Sequence, residues 1–312
     1  MIKAKDSIVI GSGYWGENIM KVLNKKKRLY GIIETNFNRA QIIKKKYNIK
    51  IIKFTDLKNP EIKNCFITTP SYLHYKHCLK VSKYSKNIFV EKPLAFNEKK
   101  IDAIEKKIKK ANTTFMVGYL LLHHPALIKL KEEINYKKKG VILIKSSRKG
   151  NGKIRPKDNV LWNLAVHDIA YLLDIFGSKI TKISKLNFKF LDNKIDESKI
   201  YFNFKNNIKY SGEFSWLNVE KNQNLIIQTN NEIYKFDDLS DNKLIKFKYA
   251  MSIDNQKNKI MKIISKKIIK FKGISPLENE IDFFFNKTDK NLVFNNLKFT
   301  KTLTKVISKL SI

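Results

Sequence analysis

The sequence predicts an α/β protein of two domains: an N-terminal, doubly wound parallel sheet over residues 1–120 and a C-terminal α+β domain over residues 121–312. Three observations predict this organisation. The chain of 312 residues exceeds what one hydrophobic core usually serves. Up to about residue 120, apolar strand-like runs alternate with amphipathic helix-like segments, which is typical of a parallel sheet. Beyond that point strand-like alternation dominates, which indicates a large, open, mostly antiparallel sheet.

The first domain begins with a βαβ unit. The segment SIVIGSGYWGENIMKVLNKKKRLYGIIETN contains a buried strand, a glycine turn, an amphipathic helix and a second strand. The helix-like segments that follow are QIIKKKYNIK, YLHYKHCLKVSKYS and NEKKIDAIEKKIKKAN, and the strand-like ones are NCFITTP, NIFVEKP and TTFMVGY. Their alternation places the carboxyl ends of the strands along one edge, where such sheets bind ligands.

The second domain combines a few helices with many strands. HPALIKLKEEIN and the apolar LWNLAVHDIAYLLDIFG are helix-like, whereas GVILIKSSRKG is strand-like. KIYFNFKNNIKYSGEFSWLN alternates around Asn206 and Asn207, which predicts an antiparallel hairpin with one buried face. LIIQTNNEIYKFDDL predicts a second hairpin, and SPLENEIDFFFNK and FTKTLTKVISKL predict helices that close this domain.

The formal net charge of +35 would by itself favour a nucleic-acid or membrane partner. Nucleic-acid readers concentrate arginine, whereas this chain has only four arginines and scatters its lysines over its whole length. We therefore interpret the lysines as a solvated surface that attracts anionic substrates, and we expect no nucleic-acid partner. Charge-driven nucleic-acid binding stays an alternative, and it would weaken steeply with salt.

Other features argue against several classes of protein. Cys65 and Cys78 lie outside any metal-ligand spacing, so the sequence predicts neither disulfide bonds nor a metal site. The N-terminus lacks a secretory apolar region, and no run approaches the roughly 20 apolar residues that a membrane-spanning helix needs. We therefore expect a soluble, cytoplasmic protein.

The motif GSGYWG fits GxGxxG between an apolar strand and a helix. In this setting Gly11 makes the turn, Gly13 lets the backbone approach a pyrophosphate and Gly16 permits close packing. Glu34 ends the second strand, where a carboxylate accepts hydrogen bonds from a ribose diol and repels a 2′-phosphate. Arg39 would suit NADP, although a solvent-facing helix position is the favoured interpretation. The motif thus predicts a Rossmann-type site for NAD in preference to NADP, and it also includes Tyr14 and Trp15.

Two further motifs carry candidate catalytic residues. FVEKPLA places Glu91 and Lys92 at the carboxyl end of a strand, where a partly desolvated lysine can polarise or protonate a substrate oxygen. LWNLAVHDI places Asn163 and His167 four residues apart on one helix face, so that both can converge on one substrate. Trp162 lies beside them in the same segment. Each motif alone is also compatible with a structural role.

Together these motifs resemble the Gfo/Idh/MocA family of oxidoreductases, through GSGYWG, TTPSYLHY, VEKPLA, VGYLLLHHPAL and LWNLAVHDI in that order. The resemblance implies a Rossmann domain followed by an open-faced mixed sheet, with Lys92 and His167 in proton transfer. It implies that Glu91 and Lys92 lie beside the nicotinamide, and that the cofactor cleft is also lined by Thr69, Pro70 and His74. Many family members carry Asp where this chain has Asn163, so one charge is missing here.

The segment SSRKGNGKIRPKDNVLWNLAVHD resembles enzymes of surface-polysaccharide and nucleotide-sugar biosynthesis, in which an Arg-rich loop precedes the catalytic helix. Arg148 and Arg155 lie in this segment. Their planar guanidinium groups would suit an anionic group of the substrate, because bidentate hydrogen bonds favour such anions. Solvent-exposed loop arginines are the alternative interpretation.

We therefore expect an NAD-dependent oxidoreductase that transfers a hydride between a nicotinamide cofactor and a carbon of a nucleotide-linked or anionic sugar. His167 or Lys92 would move the hydroxyl proton, and Asn163 would orient that hydroxyl. A homo-oligomer, dimer or tetramer, is expected. The alternative is a non-catalytic nucleotide- or sugar-binding protein that keeps the Rossmann frame, since a fold alone does not establish activity.

Overall fold

The structure is a computed structural model that describes residues 5–84, 87–135, 140–151, 154, 158–191, 193–273, 275–286 and 290–312. The chain forms two compact units. The first comprises Met1–Leu120 and Leu277–Ser308, and the second comprises Leu121–Pro276 and Lys309–Ile312. Segment 277–308, which the sequence led us to place in the second domain, is therefore part of the first unit.

The strands of the first unit are β1 (Ser7–Ile10), β2 (Leu29–Ile33), β3 (Lys50–Ile51), β4 (Asn64–Ile67), β5 (Asn87–Glu91) and β6 (Thr114–Gly118). Within the described residues they form one six-stranded parallel sheet in the order β3-β2-β1-β4-β5-β6. The strand order reverses between β1 and β4, which is the switch point where doubly wound sheets bind ligands. The predicted doubly wound parallel sheet is confirmed.

The strands are connected by helices α1 (Tyr14–Lys25), α2 (Phe37–Tyr47), α3 (Ser71–Val81) and α4 (Glu98–Ala111). Helix α1 shows why these segments fold as they do. Its residues Ile19, Met20 and Leu23 are fully buried, and their spacing of one, three and four residues puts them on one helix face. That face packs on the sheet, whose strand β1 is buried along its whole length.

The second unit contains helix α5 (Pro125–Ile134) and strands β7 (Leu143–Asn151), β8 (Ile180–Phe188), β9 (Glu197–Phe204), β10 (Lys209–Ser215), β11 (Leu217–Gln228), β12 (Glu232–Asp237), β13 (Leu244–Ile253) and β14 (Lys259–Ile268). Over the part of the chain that is described, these strands form an eight-stranded sheet in the order β14-β13-β12-β11-β7-β10-β9-β8. In that sheet β7 and β10 are parallel, and the other neighbouring strands are antiparallel. The predicted mostly antiparallel sheet is confirmed.

The hairpin predicted around Asn206 and Asn207 is present as β9 and β10, with Phe202 opposite Tyr210 in the register. One face of this hairpin is buried, as the alternation predicted, through Ile200, Phe202, Phe204, Ile208, Tyr210, Phe214 and Trp216. Helix α6 (Val166–Phe176) packs on this face, and the ring centroids of Phe176 and Phe204 are 5.8 Å apart.

Two helices near the C-terminus, α7 (Pro276–Asn286) and α8 (Lys290–Ser311), belong almost wholly to the first unit. Phe284 of α7 makes edge contacts with Phe66 of β4 and Phe89 of β5, at ring-centroid distances of 5.1 and 5.8 Å. Ile281, one helical turn earlier, is fully buried in the same core. Local periodicity predicted these helices, but their packing partners lie about two hundred residues away in sequence, so periodicity did not identify them.

No helix among the described residues is both long and apolar enough to cross a lipid bilayer. The same residues contain no group of three or more His, Cys, Asp or Glu side chains that could hold a metal ion. Cys65 and Cys78 are both buried.

Candidate functional site

A glycine turn joins β1 to α1. Gly11 has a φ of 93°, a left-handed value that side chains other than glycine rarely adopt. A Cβ atom on Gly16 would lie 2.1 Å from the Gly11 carbonyl oxygen, so the helix approaches the turn too closely for a side chain. A Cβ atom on Gly13 would meet no atom within 4 Å, which leaves open space beside the turn. The turn therefore has the shape that a bound pyrophosphate needs.

Helix α1 begins at the open side of this turn. Gly13 is its N-cap, and no side chain caps the helix. Such an N-terminus presents backbone N–H groups and the positive end of the helix dipole, which favours an anion. The Tyr14 side chain is 76% exposed, whereas the Trp15 indole N–H donates a hydrogen bond to Glu91 at the end of β5. Trp15 thus connects the glycine turn to the strand that carries the EKP motif.

Glu34 follows β2 and is bound to the glycine turn. Its Oε2 accepts hydrogen bonds from the Ser12 amide at 2.8 Å and the Ser12 hydroxyl at 2.7 Å. Its Oε1 accepts from the amides of Thr35 and Asn36, at 2.7 and 2.9 Å. Partial burial by itself would raise the pKa of Glu34. The hydrogen bonds lower that pKa by more, so it lies below its ordinary value. Glu34 is therefore an ionised acceptor at the position predicted to meet a ribose.

Arg39 does not simply face the solvent, which corrects our interpretation of its position on α2. Its Nε donates to the Ser12 carbonyl oxygen, and its Nη2 donates to Glu17 Oε2 at 3.1 Å. Arg39 and Glu34 thus bind the same residue of the glycine turn from two sides. The guanidinium group is held by Ser12 and Glu17, and its side chain stays 37% exposed.

The loop after β4 packs against the glycine turn and contains the predicted residues Thr69 and Pro70. The neighbouring Thr68 hydroxyl donates to the Gly11 carbonyl oxygen at 2.6 Å. Thr69 lies against Gly11, where a Cβ atom would come within 3.0 Å of it. Pro70 is the residue before α3 and acts as its N-cap. This loop therefore packs directly against the glycine turn.

His74, on α3, is buried between two backbone carbonyl groups. Its Nδ1 lies 2.8 Å from the Pro93 oxygen, and its Nε2 lies 2.6 Å from the Thr69 oxygen. Carbonyl oxygens only accept, so both contacts are hydrogen bonds only when both ring nitrogens carry a proton. His74 therefore joins the loop after β4 to the loop that follows Lys92, by one hydrogen bond as a neutral ring or by two as an imidazolium.

Sequence reasoning missed His77, one helical turn beyond His74 on α3. Its Nδ1 is 3.1 Å from the Thr69 hydroxyl oxygen. Burial, followed by the positive charge of His74, lowers the pKa of His77 to about 4. The sequence signal was available, because two histidines three residues apart lie on one helix face.

Strand β5 ends at Glu91, and Lys92 follows as a partly buried residue before the buried Pro93. Glu91 accepts the Trp15 hydrogen bond, and its register partner on β6 is Gly118. A second acid, Glu280 of α7, is fully buried against Gly118. No local pattern distinguishes Glu280 from Glu278 and Asp282, the two other acidic residues of the same helix.

The second unit contains the candidate site residues Trp162, Asn163 and His167. Asn163 and His167 are half-buried, and Trp162 is buried. The segment is not one regular α-helix, which corrects our expectation. Leu161–Ala165 forms a π-helical turn, and α6 begins only at Val166. Such turns are frequent at functional sites. The Trp216 indole N–H lies 3.4 Å from Asn163 Oδ1 and donates to it, so the amide has a defined orientation.

Arg148 lies in β7 and not in a loop, contrary to the resemblance-based expectation. It is 7% exposed, and its Nε and Nη2 donate to Asp168 Oδ1 at 3.0 and 2.8 Å. The physical reason is Asp168, the buried carboxylate of α6, which needs a buried counter-ion. Arg155 lies outside the described residues. Lys92 belongs to the first unit and His167 to the second, and their meeting stays a prediction.

The sheet order and the glycine turn define a protein with a Rossmann dinucleotide-binding unit and a second, mostly antiparallel unit. Residues 6–119 match the family described as "Oxidoreductase family, NAD-binding Rossmann fold". This match confirms the resemblance to the Gfo/Idh/MocA family that the sequence motifs indicate.

Solved structures share the whole fold. UDP-N-acetylglucosamine 3-dehydrogenase GnnA from Acidithiobacillus ferrooxidans superposes with a TM-score of 0.82 at 16% identity, covering 98% of this chain and 96% of that one. KijD10, a 3-ketoreductase from Actinomadura kijaniata in complex with TDP-benzene and NADP, gives a TM-score of 0.79 at 11% identity, covering 98% and 97%. At these identities the likeness establishes the fold and not the activity.

Sequence relatives match over a shorter span. The scyllo-inositol 2-dehydrogenase (NAD(+)) of Bacillus subtilis is 26% identical over 160 residues, which is 47% of this chain and 47% of that protein. The chain spans about half the length of the curated relatives it matches. The other relatives include an uncharacterized oxidoreductase of Streptococcus pneumoniae and the 2,7-anhydro-N-acetylneuraminate hydratase of Escherichia coli, at 25% and 26% identity.

Proposed function

We propose that this chain is an NAD-dependent oxidoreductase that transfers a hydride between a sugar carbon and a bound nicotinamide cofactor. The observation that carries the proposal is the Glu34 carboxylate, which is bound to Ser12 of the glycine turn where β2 ends. Together with the open space at Gly13, this arrangement suits the ribose and pyrophosphate of a dinucleotide.

NAD is proposed in preference to NADP. The lowered pKa of Glu34 keeps its carboxylate charged at neutral pH, and that charge would repel a 2′-phosphate. Arg39, the nearby cation, already binds Ser12 and Glu17. NADP stays the alternative, because the KijD10 complex contains NADP.

A bound nicotinamide dinucleotide supplies the hydride chemistry, and the side chains of this chain supply proton transfer and orientation. In our proposal, Lys92 or His167 moves the hydroxyl proton of the sugar, and Asn163 orients that hydroxyl. The Trp216 hydrogen bond to Asn163 Oδ1 supports this role, because it fixes which end of the amide accepts and which end donates. Trp162 would contact the sugar from the same segment.

The proposed substrate is a nucleotide-linked or anionic sugar. The names of two structurally similar proteins, a UDP-N-acetylglucosamine dehydrogenase and a 3-ketoreductase bound to TDP-benzene, support this substrate class. Arg155 is the proposed anion contact, whereas Arg148 already binds Asp168 and is proposed to position α6. We further propose that the protein acts in polysaccharide biosynthesis. We also propose that it forms a cytoplasmic homo-oligomer, either a dimer or a tetramer.

A direct assay tests this function. The purified protein would be mixed with NAD or NADP and with UDP-sugars, dTDP-sugars or free polyols, while absorbance reports the reduced nicotinamide. We expect formation of NADH with a nucleotide-linked sugar and slower formation with free polyols. Dinucleotide binding without turnover on any substrate would favour the non-catalytic alternative instead.

A further inference from the structure

Glu280 of α7 is a fully buried acid. Neither of its carboxylate oxygens has a hydrogen-bond partner among the described residues. The backbone amide of Tyr119 faces the carboxyl group and opposes a rise of its pKa, but burial and then the negative charge of Glu91 raise the pKa of Glu280 well above its usual range. A buried carboxylate without a partner is unfavourable, so the group holds a proton.

The second member of the cluster is Glu91, at the carboxyl end of β5. Glu91 is paired with Gly118 of β6 in the sheet register. Glu280 Oε1 lies over that glycine, 3.3 Å from the point where a Cβ atom would stand. The two carboxyl groups therefore lie at neighbouring strand ends, and the negative charge of Glu91 acts on Glu280.

The two other acidic side chains of α7 form ion pairs with lysines at the end of α1. Glu278 pairs with Lys25 at 2.8 Å, and Asp282 pairs with Lys26 at 2.6 Å. The titratable group that directly follows β6 is Tyr119, which keeps its proton because burial raises its pKa by more than its hydrogen bond to Thr300 of α8 lowers it. On β5, Glu91 acts on Glu280 through its charge, and Lys92 is the following residue.

The cluster is connected to the glycine turn. Trp15, the second residue of α1, donates its indole N–H to Glu91 Oε1. A dinucleotide held on the turn and extended along the carboxyl ends of the strands would therefore pass close to Glu91. The charge of its nicotinamide ring differs between the two redox forms, since the oxidised ring is a cation and the reduced ring is neutral.

We propose that Glu280 holds a proton beside the charged Glu91, and that this pair releases the proton when the oxidised cofactor binds but keeps it when the reduced cofactor binds. The inference rests on the proposed function. A nearby cation favours the doubly ionised pair, whereas a neutral ring leaves the like-charge repulsion uncompensated. Cofactor binding and proton release are linked. Deprotonation of the pair must therefore strengthen the binding of the oxidised form by the same factor by which the bound oxidised form favours deprotonation.

Calorimetric titration tests the proposal without turnover. NAD+ and NADH would each be titrated into the full chain in two buffers of different ionisation enthalpy, which gives the number of protons released. We expect NAD+ to release up to about one proton more than NADH does. Glu280→Gln should lose this difference, because the amide keeps the shape of the side chain and has no proton to release. Glu278→Gln, on the same helix, should keep it.

The pH dependence of affinity supplies a second measurement that needs no variant. The Kd of NAD+ should fall as pH rises, by up to about tenfold per pH unit through the titration of the pair, while the Kd of NADH stays nearly constant. Equal proton release by NAD+ and NADH, or an unchanged difference in Glu280→Gln, would overturn the inference alone. If neither NAD+ nor NADH binds, the inference and the proposed function are both overturned.

Discussion

Arg148 of β7 donates through both Nε and Nη2 to one oxygen of Asp168 on α6, over 3.0 and 2.8 Å. Both side chains are more than nine-tenths buried, and Asp168 Oδ2 has no hydrogen-bond partner among the described residues. Asp168 directly follows His167. The ion pair therefore fixes the first turn of α6 on the sheet, and with it the backbone position of the candidate catalytic histidine.

Arg148→Met should lower the free energy of unfolding by about 3–5 kcal/mol, because it leaves a buried carboxylate without its counter-ion. Urea unfolding measures this loss. The matched control is Lys149→Met on the same strand, since Lys149 pairs with Glu213 at 2.8 Å but in a more exposed setting. Such a pair contributes about 0–1 kcal/mol. Equal losses in the two variants would contradict the positioning role of Arg148.

Glu34→Gln should change the choice of cofactor. The variant loses the negative charge and the charge-assisted hydrogen bonds that a ribose diol would make, which contribute about 1.5–3 kcal/mol. We expect the Kd for NAD to rise by about 10- to 100-fold and the Kd for NADP to fall or stay constant. Calorimetric titration of both cofactors measures the ratio, with the exposed Glu61→Gln as control. An unchanged NAD-to-NADP ratio would refute the role of Glu34.

Both contacts of His74 with carbonyl oxygens are hydrogen bonds only if its ring is doubly protonated, a state that nitrogen-15 spectra at neutral pH distinguish from either neutral tautomer. In the same spectra His77 should titrate near its lowered pKa of about 4. His74→Asn removes the neighbouring positive charge, so the pKa of His77 should rise toward its ordinary value of 6.5. His123 is the control, because burial lowers its pKa to about 4 independently of His74. An unmoved His77 midpoint would show that His74 is neutral.

The lowered pKa of His77 also determines how this residue changes the stability of the folded state with pH. Its folded pKa of about 4 lies below the ordinary 6.5, so the unfolded chain binds the proton more readily. The folded state is therefore destabilised as pH falls from about 6.5 towards 4, and no further loss from this group occurs below that range. His77→Gln should flatten this part of the stability curve in acid unfolding experiments.

The sequence predicted those parts of the site that local patterns determine. The glycine turn, the acid after β2 and the lysine after β5 follow from short motifs in a strand-helix frame. Glu280 was not predicted, because its burial depends on the packing of Phe284 against Phe66, which no local pattern contains. A partner for Asp168 was in principle predictable, since an acid on the buried face of an apolar helix needs a counter-ion. The π-helical turn before α6 has no sequence signal that we recognise.

Lys92→Ala should lower turnover by about 100- to 10,000-fold, which is the range for loss of a general acid or base. NAD affinity should change little, because the proposed role of Lys92 lies in the transition state and not in cofactor binding. Steady-state kinetics and NAD titration measure the two effects. His167→Ala tested in parallel, across pH, would identify which of the two residues moves the proton. The exposed Lys99→Ala is the control, and wild-type turnover by Lys92→Ala would exclude the proposed role.

Trp216→Phe should separate two roles of Trp216, which are its hydrogen bond to Asn163 and the packing of its ring. The substitution keeps an aromatic ring in a position that is 2% exposed, but it removes the indole N–H that donates to Asn163 Oδ1. The loss of one neutral hydrogen bond, about 0.5–1.5 kcal/mol, corresponds to a fall in kcat/KM of about 2- to 10-fold for the sugar. NAD affinity should be unchanged, because Trp216 belongs to the second unit. Tyr201→Phe, at a half-exposed position of the same sheet, is the control, and equal kinetics in all three proteins would show that Asn163 does not depend on Trp216.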